Sequence, residues 1–308
     1  MPASLRKSAN WFNRDPLSSW DPIAGWSDEP VLGRRKRIDS FVSLWHRSTR
    51  REHIYLHADE ASVTTPIGLR HNLSGVPYII SQTEGSDFWQ GGDLYARMWR
   101  AHRVEAPSGG LGQWVSMATE GSGDDLGPVK AQTPVPVLLD FELRTASQVR
   151  ESPDQYEGEY IATISRNAMP LDGDLLLAGD STPYQTIEVA FDSGYRIARV
   201  IQRPSRYRTA TFELRSATQQ VFDPVTGTLT GGTPGLREVS VQVSQQSASG
   251  QSTLPQGVSE HLNLHVYRRH IGFTPWLGQV LTLAGRSYRI IRIGSGFVDS
   301  QIALEVSP

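Results

Sequence analysis

The feature that most constrains the fold is a β-hairpin pattern that occurs three times along the chain. Each copy has a turn containing proline and glycine, a short apolar run, a second turn with glycine, and a tyrosine that opens another apolar run. The tyrosines are Tyr78, Tyr184 and Tyr288, and their spacings are 106 and 104 residues. This regular spacing predicts that the 308 residues contain three copies of one β unit.

A strand-like segment precedes the hairpin in each copy. Glu52–His57 and Glu260–His265 alternate apolar and polar residues in nearly the same order, and Glu159–Ile164 is a weaker match. Long helical periodicity is missing, and short strands between Gly/Pro turns are typical of small barrels and sandwiches. We therefore predict a mainly β fold of tandem small β-barrel or β-sandwich modules, with long loops and an irregular N-terminal arm.

The repeat and the composition divide the chain into five segments. Gly, Ser, Thr and Pro are frequent in two stretches that separate or interrupt the modules. The predicted segments are an N-terminal arm with a basic stretch (1–51), β module 1 (52–102), a linker or long loop (103–137), β module 2 (138–203) and β module 3 (204–308) with an insertion near 219–258.

The first 32 residues carry scattered aromatic side chains without a helical or strand period. Proline follows both Asp15 and Asp21, which disfavours regular pairing. The aromatic rings must be buried, either against the chain's own body or in an interface with another subunit, where aromatic anchors are favoured.

A basic stretch follows between Gly33 and Arg51. Its charges form either a solvated face or a contact with DNA phosphates or an acidic partner surface. Our hypothesis for intersubunit contacts combines the aromatic and basic features, and its residues are Trp11, Phe12, Trp20, Trp26, Arg34, Arg35 and Arg37.

Composition excludes several classes of protein and site. The net charge of −2 argues against a general nucleic-acid binder, and the absence of cysteine excludes disulfides and thiolate sites. No apolar run is long enough to span a bilayer, so no membrane contact is expected. No signal peptide is visible at the N-terminus, which makes synthesis in the cytoplasm the default expectation.

Catalytic motifs are missing from the sequence. His53 and His57 lie at i and i+4 of a predicted strand, about 13 Å apart, and His261 and His265 repeat this spacing. Two such histidines are too far apart to share one zinc ion. Asp172-Gly173-Asp174 is more typical of a turn than of a calcium site, because the EF-hand spacing is absent. We expect no catalytic residue, cofactor or metal.

The last hairpin carries a family resemblance. The run from Gln279 to Ile291, followed by Ile302–Val306, resembles the end of small phage head–tail joining proteins, the stopper and neck proteins. The resemblance covers about the last 30 residues and, more loosely, residues 170–203. It implies a structural protein in the head-to-tail connector of a virion. Such a protein is synthesised in the host cytoplasm, forms a homo-oligomeric ring, and contacts portal, adaptor or tail proteins.

Three other functions stay open at this point. Tail-tip, baseplate and capsid-decoration proteins of tailed phages reuse similar β modules. A carbohydrate-binding β-sandwich is the alternative from another class, because Trp89, Trp99 and Trp114 offer a platform for stacking sugars. An enzyme whose widely separated carboxylates escape a motif search is a third alternative.

Overall fold

The computed structural model of the chain confirms a mainly β fold with tandem barrels. It describes residues 15–37, 41–42, 47–48, 50–57, 64–85, 88–90, 93–105, 109–119, 129–143, 159–202, 207–214, 221–223, 228–230, 235–245, 262–296 and 300–308. The chain forms two compact units. Unit 1 comprises residues 1–116 and 133–204, and unit 2 comprises residues 117–132 and 205–308.

Barrel 1 is a ring of six antiparallel strands in unit 1. Its sheet and the short pair beside it in sequence contain β1 (Asp15–Asp21), β2 (Gly25–Arg37), β3 (Phe41–Val42), β4 (Arg47–Ser48), β5 (Arg51–His57), β6 (Gly68–His71), β7 (Pro77–Gly85), β8 (Phe88–Gln90) and β9 (Asp93–Arg103). The ring closes because β5 pairs with β2 on one side and with β9 on the other. β8 is added beside β9, and β3 pairs only with β4.

Barrel 2 is the second closed ring of unit 1. Its strands and the hairpin that interrupts them are β10 (Gly110–Val115), β11 (Met117–Thr119), β12 (Val129–Ala131), β13 (Val135–Leu143), β14 (Glu159–Ile164), β15 (Leu175–Leu177), β16 (Pro183–Asp192) and β17 (Tyr195–Ile201). The ring order is β10-β13-β14-β17-β16-β15, and β11 pairs with β12 outside it.

Barrel 3 is the closed ring of unit 2. Its elements are β18 (Tyr207–Leu214), β19 (Val221–Asp223), β20 (Thr228–Thr230), β21 (Gly235–Gln245), β22 (Leu262–Tyr267), the short helix α1 (Arg268–Ile271), β23 (Val280–Leu283), β24 (Arg286–Ser295) and β25 (Gln301–Ser307). The ring order is β18-β21-β22-β25-β24-β23, and β19 pairs with β20 outside it.

All three barrels have the same strand order. Around each ring the strands follow one another as first, second, third, sixth, fifth and fourth of that barrel. The repeated tyrosines open the fifth strands and pair with a leucine of the fourth: Leu69 with Tyr78, Leu176 with Tyr184, and Leu281 with Tyr288. In each barrel the ladder between the fifth and sixth strands shifts register two residues after the tyrosine. The three rings therefore share one strand order and one register shift.

Alternate side chains of the strands fill each barrel. In β13, for example, Val137, Leu139 and Phe141 are buried in the core of barrel 2. The three tyrosine rings join the cores of their own barrels, where they are at most 5% exposed. The turn before Tyr288 needs a left-handed backbone, which Gly285 adopts with φ of +77°. The repeated Gly–Tyr pattern thus encodes a turn followed by a core ring.

The tyrosine hydroxyls are not equivalent, which gives a test. Only the Tyr78 hydroxyl has a charged partner among the described residues, since Arg35 Nη1 donates to it at 2.7 Å. We expect Y78F to destabilise unit 1 by about 1.5–3 kcal/mol, because it removes a hydrogen bond to a charged group. Y288F should change stability by less than about 0.5 kcal/mol. Urea unfolding of both variants measures this, and equal effects would contradict it.

The N-terminal segment differs from the predicted irregular arm. Residues 15–37 form β1 and β2, so barrel 1 begins well before residue 52, which lies on its third strand. Leu17 is fully buried and Val31 nearly so. Pairing with β5 and β6, which are distant in sequence, stabilises two strands whose prolines locally disfavour them. Residues 1–14 lie outside the described part of the chain.

This placement changes what a truncation will do. Removing residues 1–14 should leave barrel 1 folded, because every strand of the ring remains. Removing residues 1–21 should unfold barrel 1, since β2 and β6 both lose their partner β1. Circular dichroism and thermal unfolding of the two truncated chains measure the difference. Similar unfolding of both would show that β1 is dispensable.

The stretch predicted as a linker, 103–137, contains regular structure. β10 within it is the first strand of barrel 2, whereas β11 and β12 belong to unit 2. There the Val129 N–H donates to Ser240 Oγ at 2.7 Å. The predicted insertion near 219–258 contains the β19–β20 pair outside the ring, but also β21, which is a barrel strand.

Candidate functional site

A group of buried charged side chains lies where barrel 1 meets barrel 2 within unit 1. It draws residues from four strands and from two positions just outside strand ends, which are far apart in sequence. We call it the polar cluster, and its members are Arg50, Arg51, His102, Glu105, Asp140, Glu142 and Tyr195.

Strand alternation places the cluster. Because Val137, Leu139 and Phe141 point into barrel 2, the intervening Leu138, Asp140 and Glu142 lie on the outer face of β13. Leu138 packs with Ile79 of barrel 1 in an apolar patch. That patch also contains Trp20, Val104, Ile161, Tyr195 and Ile197. The two barrels therefore meet through an apolar patch with a polar cluster beside it.

Asp140 is the centre of the polar cluster. Its side chain is fully buried and accepts three hydrogen bonds. His102 Nε2 and Arg50 Nη1 each lie 2.6 Å from Oδ2, and the Glu105 N–H donates to Oδ1 at 3.0 Å. A carboxylate with this many donors stays ionised and fixes the position of every group around it.

Arg50 joins the carboxylates of the cluster. Besides its bond to Asp140, its Nε lies 3.2 Å from Glu105 Oε2 and 3.9 Å from Glu142 Oε2. The side chain is 18% exposed, so most of its charge is removed from water. Arg50 precedes β5 of barrel 1 and Asp140 belongs to β13, so this ion pair connects the two barrels directly.

Arg51 contributes a second cation on the other side of the cluster. Its guanidinium carbon lies 3.7 Å from the centroid of the Tyr195 ring, a close cation–π arrangement. Burial raises the pKa of Tyr195 to about 12, so its phenol is neutral. Because Tyr195 belongs to β17, this contact also joins barrel 1 to barrel 2.

The protonation states follow from burial and neighbouring charge. Burial lowers the pKa of His102, and the nearby Arg51 lowers it further, so the imidazole is neutral at pH 7. Burial opposes ionisation of Asp140, yet the hydrogen bond with His102 and the charge of Arg50 together lower its pKa. An ionised carboxylate can only accept hydrogen bonds, so His102 Nε2 carries the hydrogen and donates the hydrogen bond to Asp140.

The polar cluster is better suited to holding the two barrels together than to catalysis or metal binding. His102, Asp140 and Glu142 place one ligand atom each within 4.8 Å of one another, a set that could hold a metal ion. However, Arg50 already approaches both carboxylates, and His102 Nε2 is bonded to Asp140. A cation would have to displace a guanidinium that neutralises the same oxygens. We therefore interpret the polar cluster as a lock between the barrels.

The residues predicted for intersubunit contact have separate places. Trp20 is 4% exposed and packs within its own chain, so its ring has no free face for a partner. Trp26 is half-buried beneath Arg70, whose guanidinium carbon lies 4.8 Å from the ring centroid. Both tryptophan rings therefore pack against their own chain, which is one of the two alternatives predicted for this segment.

The predicted basic residues are also distributed. Arg34 is exposed, whereas Arg35 forms a 2.8 Å ion pair with Asp15 and bonds to Tyr78. Arg37 lies in β2, but its side chain is outside the described part of the chain, as are Trp11 and Phe12.

The proposed sugar platform does not form from all three tryptophans. Trp99 is fully buried in the core of barrel 1. Trp114 is half-buried, and its Nε1 donates to Asp174 Oδ2 at 3.0 Å. The same carboxylate oxygen accepts the Leu171 N–H at 2.8 Å, so Asp174 stabilises a turn, as predicted for this segment. The side chain of Trp89 lies outside the described residues.

Sequence reasoning missed the polar cluster as a site. The sequence predicts that the basic stretch ending at Arg51 is a solvated face or contacts DNA phosphates or an acidic partner surface, but Arg51 is 3% exposed and both Arg50 and Arg51 are engaged inside unit 1. The available signal was the pair of acids at Asp140 and Glu142. They alternate with apolar residues on one strand, which marks the outer face as buried and charged.

No family model, curated protein or solved structure matches this chain. Within the described residues, no helix has the length and apolar character needed to cross a membrane.

Proposed function

We propose that this chain is a non-enzymatic structural component of a tailed-phage virion, placed in the head-to-tail connector or neck. In this role it assembles as a homo-oligomeric ring and contacts portal, adaptor or tail proteins. The observation that carries the proposal is the threefold repetition of one closed six-stranded barrel, together with the resemblance of the last hairpin to head–tail joining proteins.

The barrels suit assembly because of what closure does to a sheet. A closed ring pairs every strand on both sides, so it presents no free edge for uncontrolled strand addition. The rings themselves therefore offer partners their outer faces and loops. A chain with three such bodies offers several similar docking faces in a fixed order.

The polar cluster supports a role in which the geometry of the subunit must be fixed. Four of its charged side chains join barrel 1 to barrel 2: Arg50, Arg51, Asp140 and Glu142. Buried ion pairs of this kind fix geometry more than they add stability. A defined angle between successive barrels is what a subunit of a closed ring requires.

Light scattering and negative-stain imaging of the purified full chain test this function. We expect discrete rings, either from the chain alone or after addition of purified portal rings. A chain that stays monomeric at high concentration under both conditions would contradict the proposal. Specific binding of the monomer on a glycan array would favour the carbohydrate-binding alternative instead.

A further inference from the structure

Two exposed surfaces of this chain have opposite charge and apolar centres. The first is the β1–β2 hairpin of barrel 1, and the second is the outer face of β24 in barrel 3. We propose that the hairpin of one copy docks on the β24 face of a second copy, which gives a head-to-tail contact between subunits. The inference rests on the ring assembly proposed above and names the surfaces that form it.

The hairpin surface is acidic and carries an apolar tip. Residues 15–33 contain four carboxylates and no lysine or arginine. Asp21, Asp28 and Glu29 are exposed near the turn, and Ile23 at its tip is 98% exposed. If another surface covers the exposed Ile23 side chain, apolar area is removed from water, which favours binding.

The tip is ordered before any partner arrives. Asp21 Oδ1 accepts the N–H groups of Ile23 and Ala24 at 2.8 and 2.9 Å, and Gly25 completes the turn with φ of +81°. A turn fixed in this way loses little conformational entropy on docking. The acceptor role also keeps the Asp21 carboxylate charged.

The β24 surface is basic and carries two exposed isoleucines. β24 contains Arg286, Arg289 and Arg292 and no carboxylate, although Glu305 lies across the ladder from Arg292. Ile291 is 44% exposed and Ile293 is 36% exposed. The described residues contain no ion pair with Arg289 or Arg292 within 4.0 Å.

In barrel 1 the corresponding strand position is covered by another barrel. Arg289 directly follows Tyr288, and the equivalent residue of barrel 1 is Ile79, which follows Tyr78. Ile79 is 1% exposed because barrel 2 covers it with Leu138, Ile161 and Ile197. In barrel 3 the same position is an exposed arginine.

The opposite charges select the hairpin as the occupant. The arginines of β24 would repel the outer face of β2 and β5, where Arg34 is exposed. The acidic hairpin complements them, and Ile23 can contact Ile291. Each copy then offers one hairpin and one β24 face, a heterologous contact that closes into a ring or extends as a filament.

Cysteine cross-linking tests the contact directly, because the natural chain contains no cysteine. We expect the full-length I23C/I291C variant to form a disulfide-linked ladder of oligomers under mild oxidation. The matched control is I23C/L236C. Leu236 is 69% exposed on β21, which lies opposite β24 in the ring order, and this variant should form no ladder.

Charge reversal provides a second measurement. R289E/R292E should raise the dissociation constant for self-association at least about tenfold, because acid then meets acid. Adding D28R/E29R to the same chain should restore association. R208E changes an exposed arginine of β18 and should leave association unchanged.

The outcomes separate this contact from the proposed function. Rings without a ladder in I23C/I291C, or an equal ladder in the control, would overturn the contact and leave ring assembly standing. An intramolecular disulfide would overturn it as well, since the two sites would then meet within one chain. Absence of both rings and ladder would overturn the contact and the proposed function together.

Discussion

Replacing Asp140 by alanine is expected to destabilise unit 1 by about 3–5 kcal/mol, because it removes the closest carboxylate partner of the largely buried Arg50. The variant removes the acceptor for Arg50 Nη1, for His102 Nε2 and for the Glu105 N–H at once. Urea unfolding gives the free energy. Hydrogen exchange of the β9 and β13 amides locates the loss at the contact between barrels 1 and 2.

Two further variants make this expectation specific. E188Q breaks an ion pair to Arg199 in which Glu188 is 41% exposed, and it should cost no more than about 1 kcal/mol. R50M/D140L replaces both charges by apolar side chains and should be more stable than D140A alone. A D140A variant within about 1 kcal/mol of the natural chain would refute the role of the polar cluster as a lock.

Acidification is expected to weaken unit 1 in two stages. The pKa of His102 is lower in the folded chain than in the unfolded chain. Below about pH 6.5, His102 of the unfolded chain therefore binds a proton that His102 of the folded chain does not bind. Stability is therefore complete above that pH and falls by up to about 1.4 kcal/mol per pH unit until the folded pKa is reached. The lowered pKa of Asp140 adds a second loss below about pH 3.8.

The groups that face His102 account for this direction. Asp140 and Glu142 of β13 favour its proton, whereas Arg51 of β5 and burial beside Tyr195 of β17 oppose it. H102Q removes the titrating group and should flatten the first stage while leaving the second. Urea unfolding from pH 8 to pH 2 measures both stages in both chains. Identical slopes for the two would exclude His102 as the source.

The sequence was sufficient for the repeat and for part of each barrel. The tyrosines predicted three equivalent hairpins because a glycine turn and a core ring are local requirements that each copy must meet. The three segments that begin at Glu52, Glu159 and Glu260 all lie in or enter third strands, so their match was structural.

The first strands escaped prediction because long-range pairing stabilises them. β1, β2 and β10 contain proline or glycine and show weak alternation, and only closure of the ring makes them strands. A shared short sequence also does not fix the position of a strand in its ring, since Phe-Glu-Leu-Arg begins at both Phe141 and Phe212. Phe141 lies in the second strand of barrel 2, whereas Phe212 lies in the first strand of barrel 3.

The polar cluster could not be read from sequence for a related reason. Arg50 and Asp140 are 90 residues apart, and His102 and Asp140 are 38 residues apart. No short motif connects them, because their proximity comes from packing one barrel against the next. A strand with alternating acids showed only that some cation must lie opposite.

The β11–β12 hairpin has a practical consequence for dissecting the molecule. In sequence this hairpin lies between two strands of barrel 2, but it belongs to unit 2. There the Val129 N–H donates to Ser240 Oγ, and Met117 O lies 3.2 Å from His270 Nε2. A protease cut near residue 204 would therefore yield two polypeptides that remain associated. Expression of residues 205–308 alone would expose Ser240 and His270 to solvent, and supplying residues 117–132 as a peptide should restore their cover.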